Sequence, residues 1–325
     1  MSVPLPRFVQ IEPVGQCNLA CRMCPVVLRG AGGPGKPPAF MPYEAFCALV
    51  DQFTGVRELH LQGLGEPMLH PRFFDMVAYA AQRGIEVSTN TNLTALSERR
   101  AEICVQSGLA RMHVSLDAAD PAAYEYIRVG SRYERVVTNL RRVRAAKARL
   151  GLEHPEVRLV AVVMRRNLEE LPRLVRFAHD EGIEHVSVQH LAHDFTESTL
   201  PAKYGGMRAF VDAETLDGED PARVAHWFGE ARDLASRLGV ALRLPSFAGR
   251  KGCDWPWRGA YVAYSGEAMP CCMVATPDRV NFGNMAREGV AAVWNGAAYE
   301  AFRDRLASDS PPEICRGCAV YRGMF

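Results

Sequence analysis

Cys17-Asn18-Leu19-Ala20-Cys21-Arg22-Met23-Cys24 lies directly after a β-rich run, Phe8–Glu12, near the start of a chain of 325 residues. Three cysteines at C-x3-C-x2-C spacing on one short loop can hold three corners of a cubane iron–sulfur cluster, leaving the fourth iron without a protein ligand. An open iron is a place for a small molecule. Zinc is the competing reading, but closed zinc sites use four Cys or His ligands, this spacing is not a usual zinc knuckle, and no fourth ligand lies nearby. The other cysteines are unevenly placed, with Cys253, Cys271, Cys272, Cys315 and Cys318 near the end and Cys47 and Cys104 between. A disulfide framework suits a small secreted domain. This chain, 48% hydrophobic and 23% charged, is long enough to build a real core, so metal or redox chemistry is favoured.

Outward from that loop, short β-rich runs alternate with helical patterns, which argues for βα units and a parallel sheet. The predicted strands are Phe8–Glu12, Val56–Gln62, Ile85–Thr89, Met112–Leu116, Val157–Val163 and His185–Gln189. Ser97 and Asp120-Pro121 read as helix starts, and Gly84, Gly108, Gly151 and Gly182 stand where a left-handed helix end belongs. Past His190 the rhythm breaks. Residues 192–222 mix Gly, Pro, acids and aromatics without a period and read as an irregular loop or lid, followed by a helix over Ala222–Leu238 and a strand over Val240–Leu244. From Ser246 the composition turns to Cys, Gly, Pro and Trp, with a hairpin expected across Ser265-Gly266, and this tail reads as a separate metal-stapled module. A Pro/Gly-rich stretch, Arg29–Phe40, reads as a flexible or covering loop. The expected division is therefore 1–191, 192–245 and 246–325.

Lys+Arg 38 against Asp+Glu 37 leaves a formal charge of +1, too small a field to gather nucleic acid or an anionic membrane. No apolar run approaches the roughly 20 residues that span a bilayer, and the opening residues lack the pattern of a signal peptide. A cytoplasmic enzyme is expected, with no nucleic acid or membrane among its partners.

The cysteine loop in this setting resembles that of the radical S-adenosylmethionine (SAM) enzymes. The resemblance implies an α/β fold built as a partial (βα)6 TIM-type barrel, with Cys17, Cys21 and Cys24 holding a [4Fe–4S] cluster whose open iron binds SAM. Met23 stands where the family often places an aromatic residue against the adenine. Gly63-Leu64-Gly65-Glu66-Pro67 is similar to the family's Gly-Gly-Glu-Pro turn after the second strand, with Gly65, Glu66 and Pro67 agreeing and Leu64 departing; its backbone would pair with the SAM amino group. Asn90, Ser115, Asp117, Arg128 and Gln189 lie where relatives contact the ribose, the carboxylate or the substrate. Local roles stay open for several of them: Asn90 as a turn residue, Asp117 as a helix cap, Arg128 as a surface residue.

In the tail, Cys253, Gly266 and Cys271 stand at C-x12-G-x4-C spacing and precede Cys315-Arg316-Gly317-Cys318, which resembles the short, twitch form of the SPASM module. That resemblance implies one auxiliary [4Fe–4S] cluster on Cys253, Cys271, Cys315 and Cys318, with zinc on the same ligands as the alternative. It also implies a reducing partner such as flavodoxin or ferredoxin. Cys272 is left over beside a ligand; it reads either as a small buried side chain or as a thiol that returns a hydrogen atom to a substrate radical. Only sixteen residues precede Cys17, whereas peptide-modifying relatives usually carry a leader-binding domain there, so a small hydroxylated substrate of the sugar or aminocyclitol type is expected, as in antibiotic biosynthesis. Epimerisation with Cys272 as catalytic donor is the expected reaction, with an alcohol dehydrogenase, a peptide-modifying enzyme and a plain iron–sulfur electron carrier as alternatives. The acids Asp194, Glu197, Asp212, Glu214, Asp217, Glu219 and Asp220 would suit a cationic amino sugar or form an ordinary solvated loop.

Overall fold

Period-two alternation along the strands explains the architecture, because each strand shows one face to a layer of helices and the other to a hollow. The computed structural model describes residues 3–29, 39–191, 195, 197–246, 252–274 and 276–324; most of the expected covering loop Arg29–Phe40, and Asp194, fall outside them. The strands are β1 (Phe8–Ile11), β2 (Glu58–Leu61), β3 (Glu86–Thr91), β4 (Arg111–Ser115), β5 (Glu156–Val163), β6 (His185–His190), β7 (Ala241–Arg243), β8 (Gly259–Val262) and β9 (Ala268–Met269). They form one sheet in the order β7-β6-β5-β4-β3-β2-β1-β8-β9, parallel throughout except for the β8–β9 hairpin. The parallel sheet expected from the βα rhythm is thus present, and it is consistent with the partial barrel that the resemblance implies.

Helices α1 (Tyr43–Gln52), α2 (Phe73–Ala81), α3 (Glu98–Gln106), α4 (Pro121–Ile127), α5 (Tyr133–Leu150) and α6 (Leu171–Asp180) are the crossovers between β1 and β6. Ser97 and Asp120 cap α3 and α4 by accepting hydrogen bonds from the amides of Arg100 and Ala123, and α5 ends on Gly151 at φ +64°, as their residue types direct. The core lies between sheet and helices: Val9, Ile11, Leu59, Leu61, Val87 and Val114 pack with Phe46, Phe73, Val77 and Leu140, all buried. The alternate positions, Gln10, His60, Ser88, His113, Ser187 and Gln189, face inward and are polar. A barrel interior is ordinarily filled by branched apolar side chains. This one is a polar lumen.

Two expectations need correction. The 192–222 stretch is not irregular throughout: after a single turn at Ala202–Tyr204 it forms α7 (Gly205–Glu214), which buries Met207, Val211 and Glu214 on one face. Glycines at its first two positions depress helix propensity and hid that i, i+4, i+7 spacing. Then α8 (Pro221–Leu238) leads into β7, which adds a seventh parallel strand beside β6. Nor does the tail stand apart, because β8 pairs in parallel with β1, Phe8 opposite Gly259 through Ile11 opposite Val262. The tail continues with α9 (Trp255–Arg258), α10 (Met285–Glu288), α11 (Val290–Trp294), α12 (Ala297–Ala307) and α13 (Glu313–Arg316). Buried Trp294 donates its indole N–H to the carbonyls of Val3 and Pro4, tying the tail to the start of the chain. Among the described residues no helix is long and apolar enough to cross a membrane.

Candidate functional site

The cysteine loop is a narrow strip that closes in a turn, Cys24 N–H donating to the Cys21 carbonyl (3.0 Å). Leu19, Cys21 and Met23 are buried, whereas Ala20 and Arg22 are exposed; Asn18 donates to the Thr94 hydroxyl (2.8 Å) and accepts from the Asn92 side chain (3.2 Å). The strip is held against residues 126–129 by Ala20 N–H donating to the Val129 carbonyl (2.9 Å) and Arg22 N–H to that of Ile127 (3.0 Å). Cys17, Cys21 and Cys24 feel one another electrostatically, and burial pushes all three thiols up, to about 12 for Cys17 and about 11 for Cys24. They border a chamber of about 200 Å³.

The same chamber is walled by Met23, Gly65, Glu66, Asn90, Ser115, Arg128 and Gln189, residues that the sequence scatters over 167 positions. Asp117 and Pro67 do not reach it. The Asp117 side chain is fully buried; it accepts two hydrogen bonds from the Arg128 guanidinium (2.7 and 3.1 Å) and one from the Val162 amide. It therefore orients Arg128 rather than touching a cofactor, and Arg128 is no surface residue: it lies beside Cys21. Pro67 starts the single turn Pro67–Leu69 behind the chamber wall.

The turn itself is built from buried polar bonds. Glu66 accepts from the Thr91 hydroxyl (2.6 Å) and the amides of Asn92 (2.7 Å) and Met68 (3.0 Å); burial raises its pKa against the pull of those donors. Glu12, missed in the sequence reading, sits at the end of β1 with its carboxylate enclosed by the amides of Leu64 and Tyr264 and by Arg29. An ionisable residue at the end of a buried strand was the available signal. Asn92 was also missed, though it donates to the Cys17 sulfur at 3.6 Å. Gly65 has no room for a side chain: a Cβ there would stand 1.9 Å from the Val14 carbonyl oxygen. Gly65→Ala is therefore expected to displace the turn and weaken SAM binding about tenfold or more, ~1.4 kcal/mol; equilibrium dialysis showing parental affinity would refute this.

The chamber opens into a lumen of about 500 Å³, the two sharing Met23, Gln62, Leu64, Asn90 and Gln189. His60 and His113 line it, and burial lowers their pKa to about 3 and about 4, so both stay neutral. Cys272 and Met273 reach the same lumen from the tail. Cys253 precedes α9, Cys271 follows β9, Cys315 lies on α13 and Cys318 follows it. Their sulfurs are within electrostatic reach of each other, and burial raises the thiols of Cys253, Cys271 and Cys315, the last to about 12. Gly266, at φ +94°, makes the β8–β9 turn against Asn284. Among the described residues no three His, Cys, Asp or Glu side chains stand close enough to share one metal ion. Cluster ligands each hold a different iron and stand further apart than the ligands of one zinc, all about 2.3 Å from it.

A model of the radical SAM superfamily matches residues 11–178, more than half of the chain. The chain belongs to the radical SAM superfamily. A second model, the SPASM iron-sulfur cluster-binding domain, matches residues 253–319. Together the radical SAM and SPASM matches mean that the protein works with SAM and two iron–sulfur clusters. Among curated proteins, this radical SAM chain is similar to the PqqA peptide cyclase of Xanthomonas campestris, with 28% identity covering 98% of this chain and 80% of that one. It is also similar to the tungsten-containing aldehyde ferredoxin oxidoreductase cofactor-modifying protein of Pyrococcus furiosus, at 24% identity over 91% and 83% of the two chains. Among solved structures, SuiB of Streptococcus suis bound to S-adenosylmethionine shares the radical SAM fold, with a TM-score of 0.70 and 17% identity over 99% of this chain and 72% of that one.

Proposed function

We propose that this radical SAM enzyme modifies a peptide, taking a hydrogen atom from a carbon of one residue held in the lumen. The observation that carries the reading is the likeness to PqqA peptide cyclase along nearly the whole chain; it supports a peptide better than the sugar or aminocyclitol expected from the sequence. When bound and reduced, the first cluster and SAM supply a 5′-deoxyadenosyl radical able to break an unactivated C–H bond. In this reading Cys17, Cys21 and Cys24 hold that cluster, and Met23, Gly65, Asn90, Ser115, Arg128 and Gln189 surround SAM. Glu66 and Asp117 act through the chain they brace. Cys253, Cys271, Cys315 and Cys318 hold the auxiliary cluster. The polar lumen, with neutral His60 and His113 and the amides of Gln10 and Gln62, offers hydrogen bonds to a peptide segment.

The test is anaerobic incubation of reduced holoenzyme and SAM with the short peptides encoded beside its gene, read by mass spectrometry. Loss of two hydrogens per new bond in such a peptide is expected. Turnover of an aminocyclitol with every peptide untouched would refute the reading. The ligand sets make a separate prediction: reconstituted protein carries about eight irons, and a triple Cys17/Cys21/Cys24→Ala variant keeps about half. Zinc in the remaining site would refute the auxiliary-cluster assignment.

The position of Cys272 on the lumen wall favours a second reading, in which its thiol hands a hydrogen atom to the substrate carbon and inverts it. In deuterium oxide the product would then gain one deuterium at that carbon, and Cys272→Ala would still cleave SAM without inverting anything. Unlabelled product, or undiminished inversion by Cys272→Ala, removes the thiol from the reaction.

A further inference from the structure

The inner face of the cysteine strip serves the chamber; its outer face forms a surface with a character of its own. Among the described residues five large hydrophobic side chains are exposed, Val27, Ile103, Tyr126, Val129 and Leu152. Three of the five flank this strip. Val27 follows Cys24 by three residues, and Tyr126 and Val129 lie on the segment bonded to it. The Tyr126 ring is sandwiched between two guanidinium groups, Arg22 at 4.1 Å and Arg166 at 4.2 Å from its centroid, and Arg22 also donates to the Tyr126 carbonyl.

The surface is positive because its carboxylates are turned inward. The Arg132 side chain is 78% exposed against 30% for its partner Glu125, and Arg166 is 32% exposed against 9% for Glu214. Arg22 has no carboxylate partner among the described residues. An apolar patch ringed by cations suits an acidic protein partner, which it would attract over a distance and then hold by apolar contact. On the proposed reading that Cys21 holds the first cluster, a partner on this face lies on the exposed side of the strip that carries that buried ligand.

We propose that the surface formed by Arg22, Val27, Tyr126, Val129, Arg132 and Arg166 is the docking site of a small acidic one-electron donor that reduces the SAM-binding cluster. One electron passes from the donor to the cluster and the donor is oxidised by one electron; no proton moves. None of the five exposed hydrophobic side chains among the described residues lies in the tail.

The experiment uses the holoenzyme with flavodoxin and, in a separate arm, with a two-iron ferredoxin, measuring affinity by surface plasmon resonance at two salt concentrations and SAM cleavage driven by either protein or by dithionite. Arg22→Gln and Val129→Glu are each expected to weaken binding about tenfold and to slow protein-driven cleavage in proportion, with the dithionite-driven rate unchanged. Binding of the parent enzyme should fall as salt rises, and cross-links to the donor should map to residues 22–29, 126–132 or 166. The arm that shows these effects names the donor type. Parental affinity in both variants, equal losses with dithionite and with protein, or cross-links confined elsewhere would each overturn the proposal.

Discussion

Replacing Cys21 with alanine is expected to abolish 5′-deoxyadenosine formation, a fall of at least about a thousandfold or ~4 kcal/mol in barrier. Its side chain borders the chamber while its neighbours Ala20 and Arg22 are exposed and carry no thiol, so no adjacent side chain can take its place. Cys17 and Cys24 alone leave two irons of a cubane without protein ligands, where the proposed SAM site needs one. The measurement is chromatographic detection of 5′-deoxyadenosine under anaerobic dithionite reduction. Cys47→Ala, on α1 and off the chamber wall, should match the parent under the same conditions. Product at the parental rate from Cys21→Ala would remove the loop from the chemistry.

The second large effect is expected at Arg128. Its partner Asp117 has no solvent exposure, and Arg128→Gln leaves that carboxylate buried with only the Val162 amide to answer it. Breaking a buried pair from one side costs about 3–5 kcal/mol, which lowers the melting temperature by roughly 10 °C at a few degrees per kcal/mol. The double variant Arg128→Gln/Asp117→Asn leaves no lone charge and should recover part of that loss without recovering SAM binding, since the guanidinium is gone from the wall. Calorimetry on the reconstituted proteins decides it: a single variant as stable as the parent would show that the pair does not brace the site.

Much of this site was legible because its signals are local. The spacing of Cys17, Cys21 and Cys24 needs only eight residues to be read, and the Gly65-Glu66-Pro67 turn announces itself by following a strand. What escaped depends on how distant segments meet. Asp117 read as a contact residue because it follows β4, but its carboxylate faces Arg128, eleven residues on, a direction set by the path of α4. Glu12 looked like the last residue of a strand until the amides of Leu64 and Tyr264 were found around it, 52 and 252 positions away. The helix over Gly205–Glu214 was masked by two glycines, which carry no pattern. The parallel partner of β1 could not be inferred from the tail, since Gly259–Val262 is four residues long and apolar on both faces, as any buried strand might be.

That pairing sets an order of events in the cell. Because β1 emerges from the ribosome first and its neighbour β8 lies some 250 residues later, one edge of the barrel stays open through most of synthesis, with Glu12 short of the Tyr264 amide that helps enclose its charge. Closing so long a loop is slow, and an open strand edge invites pairing with other chains. A protein cut short before Gly259 is therefore expected to accumulate as aggregate, its β1 edge left open.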